Sequence, residues 1–516
     1  MKTYTRKEFL KTMGGAVTAV GIASGLPVVG TAFSKNKRSG RGLPKKPNIL
    51  LITTDTQRCD TIKAMGYDHS VSPNLDKLIQ EGVMFRNGHT SSPVCSPART
   101  SLLTGVHTPI HGCIENGIDR RTDLITLPDL LKEQGYTNIM VGKTHFGPIP
   151  DSFQVQKVLT AGKKGDANDI YGKYIKKLGF SRKSVIPNPI PPDQFMDSFL
   201  AETAIDEMKK VVSSGKDPFF AHCSMPSPHP PLDPPGEYAT MFDDVEFPPL
   251  NYTNGDFKKL PQYLIDHLDL KDPGELDMEA MDAKRRAYYG LAAYCDAQVG
   301  KLINFLDESG IRENTLVIFT SDHGTTFYDH GLSNKHHYYD ESWRVPFILS
   351  MPGTLPQGEE RDFAIWNDIT TSILAASGTS CDTMQGYDIY TPIAAGAESP
   401  RNHAVSAEYH QIALATSSWK IVYYYEQDTG QLFDRKNDPA EQINLYDNPE
   451  YSEIKSELQA ALLGWRGDLS DLEVMRKRTS GGGRVAGIAS KHTHSMSALD
   501  SEIRLSKKVE QIENRQ

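Results

Sequence analysis

The sequence predicts an α/β fold: a large sheet covered on both faces by helices, followed by a smaller antiparallel subdomain. Three observations carry the prediction. Four short, continuously apolar runs have the character of buried strands. Helix-like stretches lie between them, the alternation that builds an α/β sheet. Beyond about residue 400 the pattern changes to hairpin material. The chain's 516 residues suit two or three domains, or one large domain with a satellite. With 23% charged and 38% hydrophobic residues it is a globular chain with ample core, which excludes a disordered protein, a coiled coil or a multi-span membrane protein.

In chain order, residues 48–53 form the first apolar run, Asn-Ile-Leu-Leu-Ile-Thr, with Asp55 directly after it. Helix-like stretches follow at 73–81 and 127–134. The second run, 138–141, ends in Gly142-Lys143-Thr144-His145, and the third, 218–223, leads into Pro226-Ser227-Pro228-His229-Pro230. A long helical stretch at 283–310 precedes the fourth run, 316–320, which ends in Ser321-Asp322-His323-Gly324. Ligands of open α/β sheets gather beyond the carboxyl ends of the strands. Asp55, Lys143, His145, His229, Asp322 and His323 are therefore expected on one edge, a convergence that bland loops would not produce. After a loop near 396–400, the stretches 413–416 and 419–425, the Gly430 turn and 432–434 read as hairpins, with a helix at 450–465. The last forty or so residues, with Gly481-Gly482-Gly483, read as a loosely tethered tail. The expected organisation is an export signal at 1–33, a basic linker at 34–46, a catalytic domain at 47–400, a small α+β subdomain at 401–470 and a tail at 471–516.

Charge supports that division. Residues 1–46 hold ten Lys/Arg against Glu8 alone, whereas the remainder carries 46 basic and 64 acidic residues, a net of −18. An acidic body of this kind argues against nucleic acid as a partner. Basic residues before a Gly/Ala-rich apolar run predict bacterial export to the periplasm or beyond, with no integral span left after cleavage. The segment Thr5-Arg6-Lys7-Glu8-Phe9-Leu10-Lys11 is similar to a twin-arginine signal, with Lys7 in place of the second arginine. The six cysteines lack CxxC spacing, which excludes a zinc ribbon and a thioredoxin motif and leaves any disulfide pairing open.

The chemistry centres on Cys95-Ser96-Pro97-Ala98-Arg99-Thr100-Ser101-Leu102-Leu103-Thr104-Gly105. Pro97 suits a first helical position, which places Cys95 just before a helix N-terminus. Free N–H groups there favour an anion, and Arg99 adds fixed positive charge about one turn along. The alternative is a buried structural cysteine before a capped helix. Weaker candidates for the walls of a cleft are His107, His111, Asn116, His336, His337 and Glu408-Tyr409-His410. His492 and His494 read as solvated.

Cys-x-Pro-x-Arg followed by Thr-Ser-Leu-Leu-Thr-Gly resembles the signature of the type I, formylglycine-dependent sulfatases of the alkaline-phosphatase-like superfamily. The likeness continues in residues 47–55, Gly142-Lys143-Thr144-His145, Pro228-His229 with Pro231, Thr320-Ser321-Asp322-His323-Gly324, and Asn334-Lys335 through Arg344-Val345-Pro346. It extends to Trp419-Lys420 and the stretch from Leu432 to Leu445. The resemblance implies a large mixed, mostly parallel β-sheet sandwiched by helices, with a smaller C-terminal antiparallel-sheet subdomain. It implies that a maturation enzyme oxidises Cys95 to formylglycine, whose hydrate supplies the nucleophile. One divalent cation is implied, calcium foremost with magnesium or manganese as alternatives, held by Asp55, Asp322, His323 and the modified Cys95. Arg99 would hold the nucleophile, Lys143 and Lys335 would neutralise ester oxygens, His229 would protonate the leaving alcohol and His145 would take a proton during release.

The implied activity is hydrolysis of sulfate esters, on a sulfated carbohydrate or polysaccharide. A phosphonate monoester or phosphodiester hydrolase is the first alternative, and a non-catalytic sulfated-glycan-binding protein the second. Two positions depart from the family pattern. Thr56 stands where many members have a second acid, and His323 where many have asparagine.

Overall fold

A computed structural model describes residues 46–159, 169–181, 185–215, 218–253, 255–480 and 498–515, without side chains for 470–480. The expected export signal, nearly all of the basic linker, and His492 and His494 lie outside the described residues. Eight strands form one sheet: β1 (Asn48–Thr54), β2 (Val83–His89), β3 (Thr137–Lys143), β4 (Val155–Leu159), β5 (Phe219–Ser224), β6 (Thr315–Ser321), β7 (Phe347–Ser350) and β8 (Glu359–Ile365). Their order is β4-β3-β5-β1-β6-β7-β2-β8. Only β7 runs antiparallel to its neighbours, β6 and β2. The sheet is thus mixed and mostly parallel, with β1 at its centre.

The apolar runs form strands because both faces of the sheet are covered. Leu50 and Ile52 of β1 face a core completed by the helices Pro73–Gln80, Met196–Ser214 and Met278–Glu308. Ile49 and Leu51 face the opposite core, completed by the helices Cys95–Thr104, Leu127–Glu133 and Trp366–Ser377. All four side chains are fully buried, and each such burial contributes about 1.5–3 kcal/mol by removing apolar surface from water. The register aligns Thr53 of β1 with Ser224 of β5, and Thr54 with Ser321 of β6. The carboxyl ends of the three central strands therefore finish side by side.

A second sheet contains β9 (Ala404–Glu408), β10 (Gln411–Ala415), β11 (Trp419–Tyr424) and β12 (Thr429–Asp434), all antiparallel and in the order β12-β11-β10-β9. The helices Ser452–Ser480 and Asp500–Glu513 pack on it through Leu458, Leu462, Trp465, Leu505, Val509 and Ile512.

The second helix corrects the reading of the C-terminus as a loose tether. Leu505, Val509 and Ile512 recur at i, i+4 and i+7, one face of a helix. Glu502, fully buried, accepts hydrogen bonds from His107 Nε2 (3.0 Å), Trp465 Nε1 (2.8 Å) and Arg401 Nη1 (3.0 Å). Arg401 also grips both oxygens of Asp368, at 2.6 and 2.8 Å. All six cysteines are free. Among the described residues, no helix is long and apolar enough to cross a membrane.

Candidate active site

The functional side chains gather where the central strands end. Asp55 follows β1, Lys143 closes β3, Ser224 closes β5, and Asp322 and His323 follow β6. Gly142 is essential to this placement. Its φ is +100°, and a Cβ there would stand 2.0 Å from the carbonyl oxygen of Ser224, so only glycine lets β3 lie against β5 and deliver Lys143. Thr56, with φ +66°, is a β-branched residue in the left-handed region. That turn aims its N–H at Asp322 Oδ1 (3.0 Å), while its hydroxyl donates to Asp55 Oδ1 (2.8 Å). Thr56 thus orients the two carboxylates.

The signature helix spans Cys95–Thr104, so it begins two residues before the proline expected to open it. The first helical N–H groups have no partner within the helix, so Pro97 in the first turn forfeits no bond. Ala98 N–H makes the first one, to Val94 O at 3.0 Å. Asn116 Oδ1 accepts from Ser96 N–H (3.1 Å) and caps this end. Cys95 is 1% exposed. Its Sγ lies 2.9 Å from Lys335 Nζ, 3.0 Å from His323 Nε2 and 3.9 Å from Lys143 Nζ. Burial and Asp55 push the thiol up, yet His323, Lys143 and Lys335 together hold it well below the usual thiol range.

Beneath the sulfur, Arg99 is wholly engaged. Its Nε donates to Asp322 Oδ2 (2.9 Å), Nη2 to Asp55 Oδ2 (3.1 Å) and Nη1 to Ser224 Oγ (2.7 Å). Lys143 also pairs with Asp55 Oδ2. Burial alone would raise Asp55, but Lys143, His229, Arg99 and Lys335 hold it well below the usual carboxylate range. His323 moves the other way. Burial lowers it, but Asp322 and the Cys95 sulfur raise it overall, against the opposing charge of Lys335.

The chain matches the sulfatase family over residues 47–379 and the N-sulphoglucosamine sulphohydrolase C-terminal family over 328–468. It belongs to the sulfatase family. These enzymes are sulfuric ester hydrolases. An arylsulfatase of Clostridium perfringens is 27% identical, covering 81% of this chain and 94% of its own length. An N-acetylglucosamine-6-O-sulfatase of Bacteroides thetaiotaomicron is 23% identical over 85% of this chain and 89% of its own. The crystal structure of the phosphonate monoester hydrolase of Agrobacterium radiobacter shares the fold, with a TM-score of 0.73 and 24% identity over 83% of this chain and 96% of its own.

The donor set of this sulfatase suits a divalent cation. Ligand atoms of Asp55, Cys95, Asp322 and His323 all lie within 4.8 Å of one another, as the bond lengths of a single ion require. His323 Nδ1 bonds the carbonyl of Gly324 at 2.8 Å, which leaves Nε2 turned toward Cys95. A backbone acceptor on the far nitrogen is how metal-ligating histidines are held.

The structure thus joins Asp55, Cys95, Arg99, Lys143, Asp322, His323 and Lys335 by direct contacts. His229 belongs to the same electrostatic group, and its Nδ1 is 2.7 Å from the carbonyl of Pro230. His145 makes no hydrogen bond to the cluster, and its Nδ1 is buried without a partner among the described residues. Three candidates for the cleft wall are corrected. His107 is buried against Glu502, and His111 lies 3.0 Å from Ser101 Oγ on the signature helix, with burial pushing it down to about 3. His337 is likewise buried on the carbonyl of Asn334. Ser224 was not anticipated, although its place as the last residue of a central strand is the signal that could have found it.

Proposed function

We propose that this sulfatase hydrolyses sulfate esters of a carbohydrate or polysaccharide, with Cys95 matured to formylglycine. The observation that supports it best is the surroundings of Cys95: three cationic or imidazole groups within 3.9 Å at a capped helix N-terminus, above two buried carboxylates. An oxygen nucleophile at this position would meet an anionic ester under Lys143 and Lys335, which offset the charge that builds on its oxygens. Arg99 fixes the orientation of Asp55 and Asp322 and so places the nucleophile. His229 is the proton donor to the leaving alcohol, and His145, with a free ring nitrogen, the acceptor during release. A divalent cation held by Asp55, Asp322, His323 and the modified Cys95 would polarise the ester and acidify the nucleophile.

Names of relatives support the substrate class, since one is an N-acetylglucosamine-6-O-sulfatase. Export, a separate maturation enzyme and the domain limits at 47–400 and 401–470 belong to the same reading. A second reading, phosphonate monoester or phosphodiester hydrolysis, draws on His323. An imidazole is a poor calcium ligand and a good one for manganese or zinc. A glycan-binding role without catalysis is disfavoured, because a binder of anions has no use for the buried Asp55 and Asp322.

The test pairs mass spectrometry of the Cys95 peptide from the native host with a panel of sulfate, phosphonate and phosphate esters. Conversion of the thiol and release of sulfate are expected. Cys95→Ala should remain folded and release none. An unmodified thiol with no sulfate released would overturn the proposal.

A further inference from the structure

The outer wall of the site has a chemistry different from its floor. The loop carrying Asn116, the cap of the signature helix, also carries Glu115, whose side chain is 38% exposed. Its Oε1 accepts from Asn116 N–H (2.6 Å), and its Oε2 lies 3.5 Å from His336 Nδ1, the residue after Lys335. The backbone of His336 is tied to the signature loop by its N–H to Pro93 O (3.3 Å). Its carbonyl accepts from Gln411 Nε2 (3.0 Å), which also donates to Glu408 (2.8 Å). Glu408 in turn accepts from Ser92 Oγ (2.5 Å). One continuous chain of hydrogen bonds therefore runs from the nucleophile's loop to the β9–β10 hairpin.

That hairpin turns at Tyr409 and His410. Tyr409 is 47% exposed, and its ring lies 6.2 Å from His267 at an interplanar angle of 28°. His267 stacks in turn on Tyr263 at 5.2 Å and 14°. The result is a shelf of flat rings flanked by two exposed carboxylates, Glu115 and Glu426, the second 3.9 Å from His410 Nδ1. A flat ring offers the apolar face of a pyranose a surface to stack on, and a carboxylate accepts hydrogen bonds from paired hydroxyls. Lys143, Lys335 and Arg99 all stand at the floor, around Cys95, where the sulfatase reading places the ester. Tyr409, His267, His336 and Gln411 carry no fixed positive charge, so a second anionic group beside them would face the carboxylates of Glu115 and Glu426 with no lysine or arginine among these side chains to offset it.

We propose that Glu115, with the Tyr409–His267 shelf, selects a neutral sugar ring bearing a single sulfate and rejects sugars with a second anionic group beside it. This rests on the sulfatase reading above and names the substrate class within it.

The experiment measures binding, so it does not depend on turnover. Cys95→Ser protein in calcium chloride is titrated calorimetrically with N-acetylglucosamine 6-sulfate and with glucosamine N,6-disulfate. The monosulfate should bind at least about tenfold tighter, equivalent to about 1.4 kcal/mol. Adding Glu115→Gln should narrow that ratio at least about threefold. Equal or tighter binding of the disulfate, or no binding of either sugar, overturns the proposal. So does a Glu115→Gln effect of the same factor on both ligands, the result of a purely structural role. Tyr409→Ala provides a second arm, with sugar monosulfate affinity expected to fall at least about fivefold and inorganic sulfate affinity less than about twofold. Equal losses for the two would count against the shelf. Sulfate release from 4-nitrophenyl sulfate by the wild-type protein tests the underlying activity separately.

Discussion

Arg99→Met is the most informative single change, because Arg99 joins both buried carboxylates of the candidate metal site. The arginine is 1% exposed, and its three nitrogens serve Asp322, Asp55 and Ser224 at 2.7–3.1 Å. Methionine fills similar space without charge. Removing one partner of a buried ion pair costs about 3–5 kcal/mol, because the remaining charge is left without compensation. At about 2.1 cal/mol/K per residue, unfolding of a 516-residue chain carries an entropy near 1.1 kcal/mol/K. The melting midpoint in EDTA should therefore fall by about 3–5 °C. A divalent cation at the same carboxylates supplies the charge the arginine provided, so saturating calcium or manganese should raise the midpoint more in the variant than in the wild type. Scanning calorimetry with and without metal reads both quantities. A variant within about 1 °C of wild type in EDTA, or an equal metal-induced rise in both proteins, would refute the argument that Arg99 and the cation answer the same pair of charges.

Other outcomes follow from the same geometry. His323→Asn should shift metal preference toward calcium and away from manganese, measured as the relative rise in melting midpoint with each ion, since an amide oxygen suits calcium better than imidazole nitrogen. Burial raises the Glu408 carboxyl to about 8 from an ordinary 4.5. The folded state then binds the extra proton, so this group costs stability progressively as pH rises from about 4.5 to about 8. Glu408→Gln should flatten that decline in a melting-versus-pH series, and an unchanged slope would count against it. Glu502 behaves oppositely. Burial raises it, but Arg401, His107 and His403 hold it well below 4.5, so the stability it contributes is present above that pH and lost on acidification. Glu502→Ala should melt several degrees lower near neutral pH, with the difference shrinking in acid.

Most of the site was legible in the sequence because Asp55, Lys143, Asp322 and His323 lie at the ends of buried parallel strands, which are continuously apolar, and Cys95 opens a helix. Lys335 sits in a loop and was legible only through the family motif. β1, β3, β5 and β6 announce themselves in this way. The outer strands do not. β8, Glu-Glu-Arg-Asp-Phe-Ala-Ile, and β4, Val-Gln-Lys-Val-Leu, lie at the sheet edges, where one side is free and charge is tolerated. β7 has only four residues and gains its place by pairing against β6. His107 and His111 looked like cleft residues because a histidine after a signature helix carries no mark of burial. What decides their fate is Glu502 in one case and Ser101 in the other. Glu502 carried no signal of its own within the stretch read as a tail, since its partners are scattered from residue 107 to residue 465 along the chain.

That scatter has a consequence for the order of events in synthesis. The contact between His107 and Glu502 closes over 395 residues, so it cannot form until residue 502 has left the ribosome. His107 opens the short helix Thr108–His111, whose His111 braces the signature helix at Ser101. The brace on the signature helix is therefore completed by the helix Asp500–Glu513, long after Cys95 has emerged. A side chain that ends 1% exposed spends the growth of four hundred residues in a chain not yet closed around it. If Cys95 is matured as proposed, that interval is when a modifying enzyme would reach it.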